Sequence, residues 1–440
     1  MFNIIKSFFL ILIFIISLIG NSFAEEKKEL TDLESFVVKL EGLMKRHNDI
    51  RASNFDTQAL ESNLKAIKKT RFPTFSFTTS GGREQLVNNA AADTITNPRD
   101  FNLKLTVPVL NLTTGHTIEQ VKLSVDQGEV AGKATEDRVL LEAITAHLGI
   151  IKARKLLSFA DESVANIRKQ TELESAKVSK GAGLDSDVLQ AKAQLAGAEA
   201  RRMQALTELK IANNRYSAVF GVIPGEKDNL VDLPFPSSAM PESEGAALSI
   251  AVTNSPAVLL QKVGASLAKK SVDAIWSTNF LPTINFTIDN KYKNDNAGAQ
   301  GFERDTVGKI ELSYSFNTAG SSIDAVNVAK RSRSAASLRY DQSIILVQEQ
   351  VQNTWTTYEM SKKNAEFRSN QAEIAKEFLR LAREEQALGQ RSLLEVLAGE
   401  TAYINAAADA EVANSLVVQS AYNLLATIGK LDLSIFSSEN

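Results

Sequence analysis

The sequence predicts a mainly α-helical chain with a β-barrel portion. Long antiparallel coiled-coil helices build a helical barrel, and four transmembrane strands per protomer form a wall that one chain cannot close. Three observations predict this. The nine prolines lie at 73–108 and 224–282, which leaves 109–223 and 283–440 free of proline. Proline costs a helix interior about 3 kcal/mol, so two such stretches permit helices of unusual length. Four segments alternate apolar and polar residues with period two, giving each strand one face of each kind. The plan also occurs twice. Phe72-Pro73-Thr74-Phe75-Ser76-Phe77 returns as Leu281-Pro282-Thr283-Ile284-Asn285-Phe286, 209 residues later. Gly181 and Phe220-Gly221 return as Gly389 and Ile428-Gly429, 208 residues later.

Residues 1–24 read as a secretory signal. Lys6 precedes a nearly unbroken apolar run from Phe8 to Ile19, and Ser22-Phe23-Ala24 offers small residues at the −3 and −1 positions of a cleavage site. That run is short of the roughly 20 apolar residues of a membrane helix, which weighs against an uncleaved anchor. The chain has no cysteine, which excludes an N-terminal lipid-modified cysteine, disulfides and thiolate metal sites. A net charge of −3 gives no nucleic-acid footprint.

From 25 to 221 the first repeat reads as a helix over 31–70, strands at about 72–80 and 100–108, and a helical hairpin with its tip near 180–187. Phe101, Leu103, Leu105 and Val107 alternate with Asn102, Lys104 and Thr106; Phe75 and Phe77 alternate with Thr74, Ser76 and Thr78. Residues 81–99, rich in Asn and Ala, read as a solvated loop. A helix from about 112 to 180 would extend roughly 100 Å, beyond any ordinary globular domain. Its Leu141, Ile144, Leu148 and Ile151 recur at coiled-coil spacing.

Residues 222–245, with Leu233-Pro234-Phe235-Pro236 and Pro241, read as a non-helical equatorial linker. The second repeat, 246–430, has a helix over 245–278, strands at about 281–290 and 307–316, and a hairpin with its tip near 387–395. Ile284, Phe286 and Ile288 alternate with Asn285, Thr287 and Asp289, and Ile310, Leu312, Tyr314 and Phe316 with Lys309, Glu311, Ser313 and Ser315. Residues 291–305 read as a second surface loop and 431–440 as a tail. Ile344, Val347, Val351, Trp355 and Tyr358 supply the second coiled-coil stripe.

A half-buried sheet in a soluble domain would alternate in the same way. Export and strands of near-transmembrane length argue instead for a membrane wall, and only a closed barrel leaves no unpaired backbone edge in lipid. Membrane barrels start at about eight strands, so about four per chain require partners. Three chains would supply about twelve; a tetramer satisfies the same count.

At the first tip, Gly181 or Gly183 suits a left-handed helix end, and Asp185, Ser186 and Asp187 suit the next helix start. At the second, Ser392 and Glu395 have capping-box spacing, so Glu395 reads equally well as a plain cap. The run Gly389-Gln390-Arg391-Ser392-Leu393-Leu394-Glu395-Val396-Leu397 resembles the second periplasmic tip of TolC-like outer-membrane factors. Ser186-Asp187-Val188-Leu189-Gln190-Ala191-Lys192-Ala193-Gln194 resembles the first, and the likeness covers about 30–430.

That resemblance implies a homotrimeric, twelve-stranded barrel in outer-membrane lipid, continued by a helical tunnel across the periplasm. It also implies a periplasmic adaptor (membrane fusion) protein and an inner-membrane transporter as partners. It implies a gate of Asp187, Arg391 and Glu395, and adaptor-facing tips at Gly181, Leu184, Gly389 and Leu393. Arg391 and Glu395 stand at i, i+4 and can act at one level. Where some members carry tyrosine before the glycine this chain has Gln386, and where a second aspartate follows it has Ala398. Within the family, the Arg391–Leu397 run is more similar to type I protein-secretion members than to drug-efflux members.

No enzyme is expected. His47, His116 and His147 are scattered without ligand spacing, and no phosphate loop or nucleophile elbow occurs. No cofactor is called for, and Trp276 and Trp355 suit packing or a membrane interface. His147 lies near an apolar stripe and reads as a packed or lumen-facing side chain. The competing reading is a periplasmic coiled-coil scaffold or adaptor without a pore.

Overall fold

A computed structural model describes residues 32–87, 94–181, 184–225, 230–295, 301–315 and 318–436. The predicted signal at 1–24, Gly183 and Phe316 lie outside these residues.

Helices α1 (Asp32–Arg46) and α2 (Asn48–Lys69) lead into strand β1 (Thr74–Gly81). A small hairpin, β2 (Glu84–Leu86) and β3 (Thr94–Thr96), precedes β4 (Arg99–Leu110). The long helix α3 (Leu112–Ser179) turns into α4 (Asp185–Phe220). After the linker come α5 (Glu244–Asn254), α6 (Pro256–Phe280), β5 (Thr283–Asn294) and β6 (Phe302–Ser313). Helix α7 (Ser321–Ala387) then turns into α8 (Leu393–Thr427), and a 3-10 turn (Leu433–Phe436) follows.

Helices α3 and α7 run for 68 and 67 residues, about 100 Å each at 1.5 Å per residue. The returning helices α4 and α8 have only 36 and 35 residues. Each long helix is therefore flanked by two shorter ones, α2 and α4 along α3, α6 and α8 along α7.

The largest core lies where those shorter helices meet. Phe36, Leu40, Ile144, Tyr216, Val351, Tyr422, Leu425, Ile428 and Phe436 are buried there, drawn from both halves of the chain. The linker straps across it. Leu233 is buried, Tyr422 donates to the Pro234 carbonyl (2.9 Å), and Lys155 pairs with Asp232 and Glu411, each at 3.1 Å. His147 is packed in this core, 2% exposed, with its ring 4.1 Å from that of Phe36. Its Nε2 lies 2.9 Å from the Val231 carbonyl, and its buried Nδ1 has no partner among the described residues. Burial holds its pKa down to about 4 against that one favourable bond.

Several boundaries differ from expectation. Each opening helix is broken in two. His47 is extended (φ −61, ψ 129) and its Nδ1 accepts from Asp49 N–H at 3.3 Å. Ser255 is extended ahead of Pro256, as a residue before proline must be. Strands β4, β5 and β6 each run for 12 residues, so the paired loops are shorter than predicted and 81–99 contains the β2–β3 hairpin. Tyr314 and Ser315 fall beyond the end of β6.

The sheet is antiparallel throughout, in the order β1-β4-β5-β6. Strand β4 pairs with β5, so the two halves of the chain share one sheet, with Leu105 opposite Ile288 and Thr106 opposite Thr287.

Candidate functional site: the sheet wall and the helical tips

Register sorts the sheet's side chains by face. Thr106, Thr287 and Lys309 share one face, and Phe77, Leu103, Ile288 and Ile310 point to the other. At the centre of the sheet, on β5, the burial of the two faces is inverted relative to a soluble sheet, while the edge strands are exposed on both faces. Thr287 and Asp289 on the polar face are 1% and 8% exposed, whereas Phe75, Ile310 and Leu312 on the apolar face are 67%, 74% and 64% exposed. The polar face is thus the inner one, and the apolar face turns outward.

Among the described residues no strand pairs with the outer edges of β1 and β6. Open edges beside exposed Phe and Ile would drive aggregation in water. Lipid on the outer face and a neighbouring chain on each edge remove both liabilities. Twelve residues span about 40 Å of strand, or about 28 Å of bilayer at 45° tilt, close to the hydrocarbon thickness. No helix among the described residues is long and apolar enough to cross a membrane.

At the first tip Gly181 adopts φ 77 and its N–H donates to the Val178 carbonyl (2.9 Å). The predicted acidic caps do not form. Leu184, 65% exposed, is the N-cap of α4 and has no side-chain cap bond. Asp185 and Asp187 sit inside the first turn instead, where their charge favours the positive end of the helix. Asp187 accepts from Ser186 Oγ (3.3 Å) and has no basic partner among the described residues.

At the second tip Gly389 adopts φ 74, and Gln390 N–H reaches back to the Glu385 carbonyl (2.9 Å) in a Schellman closure. The capping box is complete. Glu395 Oε2 accepts from Ser392 N–H (3.1 Å) and Ser392 Oγ (3.0 Å), and Glu395 N–H donates to Ser392 Oγ (3.3 Å). The Ser392 N–H, then its hydroxyl, hold the Glu395 carboxyl below its ordinary pKa. Arg391 pairs with neither Asp187 nor Glu395. Its Nε lies 2.7 Å from Glu385 Oε2 and its guanidinium 5.2 Å over the Phe378 ring. Leu393 is 8% exposed and packs with Leu397 against Val164, Ile167, Ala191 and Ala198. It joins the two hairpins and leaves little surface for a partner.

Sequence reasoning missed Glu385, Phe378 and one buried carboxylate. Glu400, 3% exposed, pairs with Arg383 and accepts from Asn166 Nδ2 at 2.7 Å, linking α8 to α7 and α3. Its signal was present: Glu400 continues the spacing of Leu393, Val396 and Leu397, a carboxylate on an apolar stripe.

An outward apolar sheet with two open edges, set on hairpins far longer than a globular domain, defines a protomer of an outer-membrane channel. The chain belongs to the outer membrane efflux protein family, whose sequence model matches residues 40–222 and again 247–430. The outer membrane efflux protein BepC of Brucella suis is 25% identical over 302 residues, which cover 67% of this chain and 64% of BepC. The match thus spans less than two thirds of that relative. In fold, the chain is similar to the outer-membrane channel OprN (TM-score 0.77, 16% identity, 91% and 90% of the two chains). It is also similar to the CmeC channel of Campylobacter jejuni (TM-score 0.75, 16% identity, 93% and 89%).

Proposed function

We propose that three copies of this chain close one channel-tunnel that exports cargo delivered through a periplasmic adaptor from an inner-membrane transporter. The observation that carries this reading is the pair of unpaired edges on a sheet whose apolar face is outermost. Each copy contributes two versions of one plan, 25–221 and 246–430, joined by 222–245 and preceded by a removable signal. The chain itself does no chemistry, so energy comes from the transporter. Planar-bilayer recording tests the reading: purified protein should insert as a discrete conducting unit, and protein recovered only as a non-conducting soluble monomer would overturn it.

For cargo, the Arg391–Leu397 run supports type I protein secretion. The second reading, small-molecule efflux, is supported by the likeness to BepC, an outer membrane efflux protein. Deleting the gene separates them: loss of a secreted protein at unchanged drug tolerance supports the first, the converse the second.

The gate reading rests on Asp187, Arg391 and Glu395. Among the described residues Asp187 has no basic partner, which leaves it available to an arginine of a neighbouring copy. Arg391 is held by Glu385 and Phe378, so opening would release it from its own hairpin first. Gly181, Leu184 and Gly389 form the surface offered to the adaptor, and Leu393, buried between the hairpins, supports it from beneath.

A further inference from the structure

The outward face of the four long strands carries two charges among its described residues, and both are arginine. Arg99 opens β4 and Arg304 is third in β6, so both lie at the sheet end remote from the helices. The inward face is different in kind, with Asp100, Lys104, Asp289, Lys293, Glu303 and Lys309 mixing both signs.

Level with the two arginines, aromatic rings cross all four strands. Phe77 and Phe101 are 4.9 Å apart, Phe101 and Tyr292 5.7 Å, and Tyr292 and Phe302 6.0 Å. Such a row marks the hydrocarbon–headgroup boundary of a membrane barrel. Arg304 lies with its guanidinium 5.3 Å over the Tyr292 ring, and neither arginine has a carboxylate partner among the described residues. In register, Arg304 faces Tyr292 while Arg99 faces Asn294, one outward row further on. Two strands and one row separate them by about 12 Å, a gap two extended arginines can bridge around one headgroup.

We propose that Arg99 and Arg304 hold a phosphate of a phosphorylated glycolipid in the outer leaflet. This rests on the membrane reading of the sheet, which puts the end remote from the periplasmic helices at the cell exterior. An outward arginine is most costly at the bilayer midplane and nearly free of cost at the interface, so the aromatic level is where the charges are tolerated. Tolerance alone would accept lysine, glutamate or a mixture. Two guanidinium forks without a counter-charge match a phosphate, which they bind bidentately, and the poorly hydrated headgroup layer strengthens each bond.

The test uses the assembled protein in detergent, with bound lipid counted by native mass spectrometry. Diphosphorylated lipid A should bind wild type about tenfold or more tightly than its dephosphorylated form, and Arg99→Gln/Arg304→Gln should lose that preference. Equal binding of the two lipids by wild type overturns the proposal without any variant, as does a double variant that keeps the preference. Displacement of lipid A by millimolar inorganic phosphate would reassign the arginines to a free anion and also overturn it. The double variant's bilayer conductance reads the channel separately: a conducting variant without lipid preference separates this proposal from the channel reading.

Discussion

Replacing Arg383 with alanine should loosen the tip region far more than replacing Glu400 with glutamine, although the two share one ion pair. The reason is the asymmetry of burial: the Glu400 side chain is 4% exposed and that of Arg383 46%. Without Arg383, a carboxylate stays buried with Asn166 as its remaining bond. Breaking a buried pair in this way costs about 3–5 kcal/mol, and the half-exposed partner brings the figure to about 3 kcal/mol. Glu400→Gln removes the charge but keeps an oxygen for Asn166, for a loss of about 1 kcal/mol. Hydrogen exchange of the assembled protein reads the difference locally. Amides around Asn166 and Glu400 should exchange about a hundredfold faster in Arg383→Ala and less than about tenfold faster in Glu400→Gln. Replacing both with apolar residues should restore most of the protection. Equal effects of the two single changes would refute the reasoning, because they would mean that Glu400 is not desolvated.

Three further outcomes follow from the same geometry. His147 is neutral when folded, with its pKa down to about 4, while unfolded chain protonates near 6.5. Stability is therefore unaffected above the unfolded value and falls by about 3 kcal/mol as pH drops from 6.5 to 4; thermal melting should show this fall in wild type and much less of it in His147→Gln. A Cβ on Gly429 would lie 2.4 Å from the Asn254 carbonyl at φ 72, whereas Gly389 has open space around it; Gly429→Ala should thus cost more than about 2 kcal/mol and Gly389→Ala about 1 kcal/mol by thermal melting. Arg391→Ala and Asp187→Ala should each raise resting conductance in planar bilayers, modestly because an ion pair near the surface is worth about 0–1 kcal/mol; unchanged conductance in both variants would remove them from the gate.

Much of this architecture was legible in the residues. The first long helix, read as about 112–180, runs over Leu112–Ser179, and proline placement left room for the second without bounding it; alternation separated the apolar from the polar face of each strand. Strand ends were not legible, because beyond Ile288 both faces of β5 turn polar, with Asn290, Tyr292 and Asn294 outward. Backbone pairing with β4 and β6 carries the strand on where side-chain contrast has ended. The break at His47 has no glycine or proline to announce it. Prolines marked 222–245 as non-helical, but not that its Val231 and Pro234 carbonyls would satisfy His147 and Tyr422 from the other side of the core. At the tips, the i, i+4 spacing of Arg391 and Glu395 suggested a shared role. The capping box read from the spacing of Ser392 and Glu395 does form, whereas the bond of Arg391 to Glu385 in the preceding helix crosses the turn, and spacing does not reveal it.

The central claim is that the edges of β1 and β6 are completed by copies of the same chain. With no native cysteine, a single cysteine on each edge strand can be oxidised without background. Scanning such pairs in membranes should give a covalent ladder that ends at three chains. A ladder that ends at two or four, or pairs that close only within one chain, would contradict the account.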